Sequence, residues 1–390
     1  MRILFCNYEF PPLGGGGGVV MAALARDLAQ RHAVTVLTSR AQGLPAESRE
    51  HGVRVIRVPV FFRRQLAVAN FPSMLAYLPM AGLRALGLRG SFDVINTHFV
   101  VPSGPLGHAL SRLYGIPNVL SVHGGDLYDP SKSSSPHRHA WLRPPIRYLL
   151  RQAQALVGQS RNTLEHVAEI YDVRRDAELI PLGIERPSPP VAPGRREFGI
   201  PEDALVLVTV GRVVARKAPE QLIEVLRMTS RANAHLIVVG DGPRLGAVRQ
   251  AAAEAGLTER VHLLGQTSED VKNRALAVSD IFISTSQHEG FGLVFLEAMA
   301  FGLPIICYDH GGQTDFLSNG ATGAVLHLND VAGFARALQD LCDDPDLRRE
   351  MAANNLQLVE RYLIDKCAAR YEKVFEDAVR NFAARREGER

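Results

Sequence analysis

Short hydrophobic runs rich in β-branched residues alternate along the chain with segments long enough to form helices. Two series of such runs are predicted to be buried strands: Arg2–Cys6, Val34–Leu37, Val53–Val58, Val94–Thr97, Val119–Val122 and Leu156–Gly158, and then Leu205–Val210, His235–Val239, Val261–Leu264, Ile281–Ser284 and Pro304–Cys307. Strands that are hydrophobic on both faces and separated by helices are typical of parallel sheets covered on both sides. The pattern therefore predicts two doubly wound α/β domains.

A proline-rich stretch separates the two series. Residues 184–199 read IERPSPPVAPGRREFG, with four prolines between Pro187 and Pro193. Proline at this density favours a semi-rigid extended linker over a helix or a strand. We therefore predict four segments: a first domain (1–184), a linker (185–199), a second domain (200–365) and a C-terminal helix with its tail (366–390).

The composition is that of a globular protein with reduced cysteines. The chain has 390 residues, enough for two ordinary domains, and 46% of them are hydrophobic. The four cysteines are scattered and include no CxxC pair, which argues against a disulfide framework or a zinc site and favours the cytoplasm. No run of eighteen hydrophobic residues is present, so no membrane-spanning helix is expected. The N-terminus fits a first strand better than a signal peptide.

Positive charge is concentrated in the first part of the chain. Residues 1–180 carry 20 Lys and Arg against 12 Asp and Glu, whereas the remaining 210 residues carry 24 against 29. Arginines lie beside aromatic residues at 61–64 and 141–151, which suits an anionic membrane surface or a lipid diphosphate. A solvated basic face is the alternative. Nucleic acid is not expected, because no nucleic-acid-binding motif accompanies the charge.

Two loops that follow predicted strands could bind an anionic group. Pro11–Gly18 ends in five glycines before a helix, so its backbone N–H groups and the helix dipole could approach a phosphate; a flexible loop is the alternative. In the second loop, Arg212 directly follows a strand and Lys217 stands five residues later. Two cations at the carboxyl end of a parallel strand suit a diphosphate, although by their spacing alone two solvated surface charges are the better interpretation.

A third motif combines two glutamates with glycines. In Ser286–Gly302, Glu289 lies in a turn after a strand and Glu297 follows eight residues later in a predicted helix. Gly290 and Gly292 leave backbone N–H groups free at the start of that helix, which favours a phosphate. Two glutamates alone would be a weak signal, but the glycines and the preceding strand make the combination specific.

These motifs resemble a known family over nearly the whole chain. The segments GRVVARK, VGDGPR, LLGQ and EGFGLVFLEAMAFGLP are similar to the donor-binding domain of retaining GT-B glycosyltransferases of family 4. The glycine-rich loop, DVINTH at Asp93–His98 and SVHGGD at Ser121–Asp126 are similar to the N-terminal domain of the same enzymes. The resemblance implies two Rossmann-like domains that face each other across a cleft, with a C-terminal helix that crosses back to the first domain.

The resemblance also implies roles for individual residues. Arg212 and Lys217 would bind the donor diphosphate and neutralise the leaving group. Glu289 and His123 would act at the donor sugar, and Glu297 would hold the ribose hydroxyls. The other implied donor-binding residues lie beside the phosphates, the base or the sugar: Gly17, Gly18, Asp126, Gly265, Gln266, Phe291, Gly292, Leu293 and Val294.

The implied activity is transfer of a hexose from a nucleotide sugar to a lipid-linked or glycan acceptor, as in cell-envelope or polysaccharide synthesis. A UDP-sugar is the favoured donor and GDP-mannose is the next. Neither a metal nor a cofactor is expected, because cations and a helix N-terminus can stabilise the departing diphosphate. The aspartates at 343–346 have a D-x-D spacing but are predicted to cap a helix. A GT-B nucleotide-sugar epimerase that acts without an acceptor is the alternative function.

Overall fold

The computed structural model describes residues 1–61, 71–188, 190–191, 193–230 and 233–388. The chain divides into two compact units: the first is Met1–Glu185 together with Leu363–Arg390, and the second is Arg186–Tyr362. Of the arginine- and aromatic-rich segment at 61–64, only the exposed Phe61 lies within the described residues.

The first unit is built on one sheet. Its strands are β1 (Arg2–Cys6), β2 (Ala33–Arg40), β3 (Glu47–Glu50), β4 (Val53–Pro59), β5 (Val94–His98), β6 (Asn118–Val122), β7 (Ala155–Gly158) and β8 (Glu178–Leu179). Their order is β3-β4-β2-β1-β5-β6-β7-β8, and all neighbours are parallel except β3 and β4. The helices that cover it are α1 (Gly16–Leu28), α2 (Phe71–Leu86), α3 (Gly104–Tyr114), α4 (Arg143–Gln152) and α5 (Arg161–Tyr171).

The second unit is built on a second, fully parallel sheet. Its strands are β9 (Leu205–Val210), β10 (Ala234–Val239), β11 (Val261–Gly265), β12 (Ile281–Ser284), β13 (Ile305–Tyr308) and β14 (Gly323–Leu326), in the order β11-β10-β9-β12-β13-β14. Its helices are α6 (Glu220–Met228), α7 (Leu245–Glu254), α8 (Glu269–Ala277), α9 (Leu293–Ala300), α10 (Val331–Asp343) and α11 (Pro345–Val359). The last helix, α12 (Ile364–Gly388), returns to the first unit, where it packs against α1, β5 and β6.

The prediction of two doubly wound α/β domains is confirmed, and every predicted strand is present. Three strands were not predicted: β3, β8 and β14. All three lie at the edge of a sheet, where one side of the strand lacks a neighbour. An edge strand need not be a continuous hydrophobic run, and ESRE of β3 contains no hydrophobic residue at all.

Both sheets reverse their strand order next to their first strand. The reversal lies between β1 and β5 in the first sheet and between β9 and β12 in the second. Ligands of open α/β sheets bind beyond the carboxyl ends of the strands at such a switch point. The fold therefore brings together the loops that follow β1 and β5 in one unit, and those that follow β9 and β12 in the other.

Three smaller predictions can be compared with the structure. All four cysteines are buried free thiols, and burial raises the pKa of Cys6 and of Cys367 to about 12. Asp344 caps α11, as predicted for the D-x-D segment, because its Oδ1 accepts from the N–H groups of Asp346 and Leu347 at 3.0 and 2.9 Å. Among the described helices, none combines the length and the apolar character needed to cross a membrane.

Candidate functional site

Two loops at the switch point of the second sheet bring Lys217 and Glu289 into contact. Lys217 ends a short 3₁₀ turn after β9, and Glu289 lies in the loop after β12. Lys217 Nζ lies 2.6 Å from Glu289 Oε1, and a guanidinium nitrogen of Arg216 lies 3.5 Å from Glu289 Oε2. The side chains of Lys217 and Glu289 are only 16% and 10% exposed, so this ion pair is largely shielded from solvent.

The two cations keep the Glu289 carboxylate ionised. Burial by itself would raise the pKa of Glu289, but the charges of Lys217 and Arg216 and the hydrogen bond from Lys217 outweigh burial and hold the pKa at about 2. Its backbone is fixed as well, since the Glu289 N–H donates to His310 O at 3.3 Å and the Glu289 carbonyl accepts from Gly312 at 2.8 Å. A negative charge therefore has a defined position at the carboxyl edge of the sheet.

The loop after Glu289 leads directly into the N-terminus of α9. Gly292 is the N-cap residue with φ +96°, and a Cβ at this position would collide with the ring of Phe295. Glycine is therefore required both for the backbone conformation and for space. Leu293 and Val294 form the first turn, where N–H groups have no intrahelical acceptor and suit an anion. Phe291 anchors the loop: it is buried, and its ring centroid lies 5.2 Å from that of Phe316.

Glu297 lies on α9 and is held by a lysine that the sequence analysis missed. Lys272 of α8 donates from Nζ to Glu297 Oε1 at 2.9 Å and lies 2.7 Å from Glu269 Oε2. Burial raises the pKa of Glu297, and the charges of Lys272 and Lys217 offset this only in part. In the sequence, Lys272 is the second member of a Glu-x-x-Lys pair, which is typical of any solvated helix face and gave no signal.

The other predicted cation, Arg212, lies apart from this ion pair. Arg212 is exposed, and within the described part of the chain its guanidinium forms no ion pair. Arg216 takes the place beside Glu289 and also donates to the carbonyl of His288. The segment GRVVARK contained Arg216, but only the fold shows that the 3₁₀ turn directs it towards Glu289.

Gly265 and Gln266 lie at the carboxyl end of β11, the edge strand of the second sheet. Gly265 has φ +66° and accepts at its carbonyl from the N–H of Gly240 at 2.9 Å. Gln266 is exposed. Their contact with the base of the donor stays a prediction.

At the switch point of the first sheet, the loops after β1, β5 and β6 meet around an aromatic contact. The rings of Phe99 and His123 lie 4.4 Å apart between centroids, and Phe99 has φ +67°. A Cβ on Gly17 would lie 2.7 Å from Phe99 Cζ, so glycine is needed for this close approach. Gly18 is buried inside the first turn of α1, whereas Gly15, the N-cap of this helix, is exposed.

The hydrogen bonds of His123 fix its tautomer. Gln159 donates from Nε2 to the His123 carbonyl, so Gln159 Oε1 must be the acceptor of His123 Nδ1–H at 3.2 Å. His123 Nε2 then accepts from Nδ1–H of the fully buried His98 at 2.9 Å. Burial lowers the pKa of His123 to about 4. His123 is therefore neutral at physiological pH, and both of its ring nitrogens are bound by protein groups.

Asp126 ties two loops together. It is buried, with Oδ2 accepting from the Val100 N–H at 2.6 Å and Oδ1 accepting from the His123 N–H at 2.9 Å. Burial raises the pKa of Asp126 to about 6, although three backbone hydrogen bonds act in the opposite direction. Asp126 therefore braces the loop that carries His123, and its predicted contact with the donor stays a prediction. Within the described residues, no group of three or more His, Cys, Asp or Glu side chains could hold a metal ion.

Comparisons with known proteins agree with the class of enzyme that this site suggests. The family model for "Glycosyltransferase Family 4" matches residues 14–186, and the model for "Glycosyl transferases group 1" matches residues 193–357. N-acetyl-alpha-D-glucosaminyl L-malate synthase from Bacillus anthracis is 26% identical over 95% of this chain and 96% of its own length. D-inositol 3-phosphate glycosyltransferase from Stackebrandtia nassauensis is 29% identical over 91% and 85% of the two lengths.

Solved structures share the fold over nearly the full length. Sucrose-phosphate synthase from Thermosynechococcus elongatus superposes with a TM-score of 0.84 at 22% identity and covers 98% of this chain and 100% of its own. HepE from Anabaena, solved in complex with UDP, gives a TM-score of 0.78 at 19% identity and covers 97% and 100%. The chain is therefore a glycosyltransferase with two α/β domains of the GT-B type. It belongs to glycosyltransferase family 4.

Proposed function

We propose that the chain is a retaining hexosyltransferase that takes its sugar from a UDP-sugar. The observation that carries this proposal is the shielded ion pair between Lys217 and Glu289 beside the N-terminus of α9. Lys217 would bind one phosphate, and the N-terminus of α9 would bind an oxygen of the second phosphate. The ionised Glu289 would lie where the sugar follows the diphosphate.

In the proposed reaction, Lys217 is the main electrostatic catalyst. As the bond between the anomeric carbon and the phosphate oxygen breaks, negative charge develops on the departing diphosphate. Lys217 is already fixed at this place by Glu289, so it stabilises that charge with little reorganisation. Arg212 is exposed and unpaired within the described chain, and it would add a second cation once the donor is bound.

The two glutamates would hold the donor from opposite ends. Glu289 is ionised, because its pKa is about 2, so it would accept from a hydroxyl of the sugar and favour positive charge at the anomeric carbon. Glu297, eight residues later in α9, would hold the ribose hydroxyls, with Lys272 keeping its carboxylate in place. In the first unit, His98 and Gln159 select the neutral tautomer of His123, and its role at the sugar stays a prediction.

Retention of configuration would follow from attack on the same face of the sugar. The acceptor oxygen forms the new bond to the anomeric carbon on the face that the diphosphate leaves. The acceptor proton passes to the departing phosphate oxygen, so no separate base is needed. Neither a metal nor a cofactor takes part in this proposal.

One structural neighbour supports UDP over GDP as the nucleotide of the donor. HepE from Anabaena was solved with UDP and with UDP-glucose. We keep GDP-mannose as the second donor. The acceptor that we propose is a lipid-linked sugar or a glycan at the cytoplasmic face of the membrane, which the basic first half of the chain would contact. The names of the relatives add small hydroxylated acceptors such as L-malate and D-inositol 3-phosphate.

The test is a transfer assay with a panel of donors and acceptors. UDP-glucose, UDP-N-acetylglucosamine and GDP-mannose are each incubated with lipid-linked, glycan and small hydroxylated acceptors, and nucleotide release is measured. Proton NMR of the product then gives the anomeric configuration. We expect acceptor-dependent release of UDP and an α-linked product from an α-linked donor. A β-linked product would overturn retention, and donor interconversion without an acceptor would support the epimerase instead.

Variants make the test specific to the proposed site. Lys217→Ala should reduce transfer by at least about a hundredfold, because electrostatic stabilisation of a leaving group is commonly worth that much. Lys366→Ala is the matched control, since Lys366 is 62% exposed and pairs only with its neighbour Asp365 within the described residues. Equal activity in Lys217→Ala and in Lys366→Ala would contradict the proposal.

A further inference from the structure

A groove of about 720 Å³ lies in the first unit, away from the loops of that unit that follow β1, β5 and β6. It is formed by the C-terminal ends of α3 and α4, by the residues before β8 and by the end of α12. Because α3 and α4 end just before β6 and β7 begin, the groove lies at the amino edge of the parallel sheet. The loops that carry Gly17 and His123 lie at the carboxyl edge, so the groove and these loops are on opposite edges.

Six of the residues that line the groove are arginines, and we call it the arginine groove: Arg112, Arg151, Arg174, Arg175, Arg385 and Arg386. Three of them donate to backbone carbonyls: Arg175, Arg386 and Arg151, which donates to Asp172. Arg175 donates to the carbonyl of Ala153, among others, and so caps α4, while Arg386 donates to the carbonyl of Gly115 just after α3. Carbonyl groups at helix ends carry only partial negative charge and do not neutralise a guanidinium.

The remaining positive charge in the groove is largely uncompensated. Within the described residues, Arg112, Arg174 and Arg385 form no ion pair. Arg151 donates to the backbone carbonyl of Asp172 at 2.8 Å, but its contact with the Asp172 carboxylate is long, at 3.7 Å, and both side chains are more than half exposed. Such an exposed pair contributes little.

The arginines also act on one another. Burial and the charge of Arg385 lower the pKa of Arg175, and Asp176 opposes this only in part. On a convex surface, arginine side chains can spread apart and a solvated basic face costs little. In a concave groove the guanidinium groups are held within range of each other, and this repulsion persists unless an anion enters.

An anion that carries phosphate groups would supply the negative charge that this groove lacks. Guanidinium groups bind phosphate oxygens through paired, charge-assisted hydrogen bonds, and several arginines around one concavity favour more than one phosphate. The volume lies within the range of small-molecule sites, roughly 300 to 1,000 Å³. Phe382, whose ring lies 6.0 Å from the Arg386 guanidinium, adds one apolar wall.

We propose that the arginine groove binds the phosphate groups of a di- or polyphosphorylated anion, at a site separate from the one that holds the donor. The ligand is a soluble diphosphate or the headgroup of an anionic lipid that carries two phosphates. Neither source requires the groove to take part in sugar transfer.

The first experiment measures binding of inorganic pyrophosphate by calorimetry in the full-length Lys217→Ala chain, in which binding at the donor site is weakened. The double variant Arg112→Ala/Arg385→Ala removes two arginines that have no ion pair within the described residues. The matched control is Arg336→Ala/Arg361→Ala, which removes two exposed arginines from the second unit. We expect the groove variant to weaken pyrophosphate binding by at least about tenfold and the control to leave it unchanged. Equal binding in all three proteins, or none in any, would overturn the proposal.

The second experiment distinguishes the two sources. Vesicles of phosphatidylcholine with and without cardiolipin, whose headgroup holds two phosphates, are co-sedimented with the chain in the presence and absence of pyrophosphate. Cardiolipin-dependent sedimentation that pyrophosphate competes away, and that the groove variant loses, identifies the lipid source. Pyrophosphate binding without such sedimentation identifies a soluble ligand.

Two further readouts separate this proposal from a folding defect and from the proposed function. The groove variant should unfold at the same temperature as its parent to within about 2 °C, because the two arginines have no ion pair to lose within the described chain. In the background with Lys217 intact, it should also keep full transfer activity. If Lys217→Ala loses transfer but still binds pyrophosphate, and the groove variant loses that binding, the groove is a site separate from the donor site.

Discussion

At the scale of single residues, the donor site depends on a carboxylate that burial alone would tend to neutralise. Glu289 keeps its charge because Lys217 and Arg216 stand beside it. The same arrangement means that Lys217 is paired before any ligand arrives. A bound diphosphate would therefore share Lys217 with Glu289.

The first prediction concerns the pH dependence of stability. The pKa of Glu289 is about 2 in the folded chain against 4.5 as its ordinary value, so ionised Glu289 contributes stability above pH 4.5 that is lost as the pH falls towards 2. The difference corresponds to about 3 kcal/mol at pH 7, as an order of magnitude. Glu289→Gln should therefore have a lower free energy of unfolding than the parent at pH 7. Urea unfolding at several pH values should show this difference in free energy becoming smaller below pH 4.5.

The control for that prediction is Glu254→Gln, because Glu254 is exposed and bonded only to Gln250 within the described chain. Its free energy of unfolding should equal that of the parent at every pH. If the difference in free energy of unfolding between the parent and Glu289→Gln stays constant on acidification, Glu289 is not an ion-paired carboxylate.

The second prediction separates bracing from ligand binding at Asp126. Both carboxylate oxygens accept from backbone N–H groups, and an amide in Asp126→Asn would turn one of these acceptors into a donor that faces Val100 or His123. A buried unsatisfied donor costs about 1–3 kcal/mol. We expect lower stability in thermal unfolding and an almost unchanged KM for the donor. A raised KM with unchanged stability would indicate direct donor contact instead.

Single residues of the site were predictable where a motif set them apart. Glu289 stood in a motif with two glycines, and Lys217 was assigned through the family resemblance of GRVVARK; the structure places the two side chains 2.6 Å apart. Lys272 and His98 had no such signal, because each acts through a partner far away in sequence that only the fold brings near. The ring hydrogen bonds of His123 could not be predicted for the same reason.

At the scale of elements, the start of α9 organises the second unit's site. The helix carries Glu297 one turn after its N-terminus, and its cap residue Gly292 has a left-handed backbone that leaves room for Phe295. The orientation of Glu297 therefore depends on a glycine that contacts no ligand through a side chain.

The third prediction tests that dependence. Gly292→Ala should destabilise the chain by about 1–3 kcal/mol, because it strains the backbone and collides with Phe295. It should also raise the KM for the donor, since the first turn of α9 shifts. Gly246→Ala is the matched control: Gly246 lies inside α7 with open space around its Cβ position, so alanine should be neutral or slightly stabilising there. Equal effects of the two changes would refute this account of α9.

Elements were predictable in proportion to their burial. The central strands are hydrophobic on both faces because helices cover both sides of each sheet, and all of them were predicted. β3 forms through antiparallel pairing with β4, in which Glu47 stands opposite Ile56 and Glu50 opposite Val53. Nothing in its own four residues indicates a strand, so its existence depends on its neighbour.

At the scale of the whole molecule, the C-terminal helix belongs to the unit that begins the chain. Tyr371 and Phe375 of α12 are almost fully buried, and the Tyr371 hydroxyl donates to Ser121 Oγ at 3.1 Å. The first unit therefore needs residues from both ends of the sequence to complete its core. The return of this helix to the first domain was predicted from the family resemblance, and the sequence pattern of the helix itself did not indicate it.

The fourth prediction follows from that core. Phe375→Ala should lower the free energy of unfolding of the first unit by about 3–5 kcal/mol, because a fully buried aromatic side chain leaves a cavity. Trp141→Ala is the control, since Trp141 is a large aromatic residue of the same unit with 64% exposure. Chemical unfolding followed by circular dichroism should show a loss for Phe375→Ala and almost none for Trp141→Ala. Similar losses would mean that α12 is not part of the core.

The most direct test of the central claim, that the switch point of the second sheet binds the diphosphate of a nucleotide, is a calorimetric titration of UDP. The parent chain, Lys217→Ala and the exposed-lysine control Lys366→Ala are compared at the same salt concentration. UDP should bind the parent and the control equally and should bind Lys217→Ala at least about tenfold more weakly, as expected for the loss of a charge-assisted phosphate contact. Equal affinity of all three proteins for UDP would contradict the central claim.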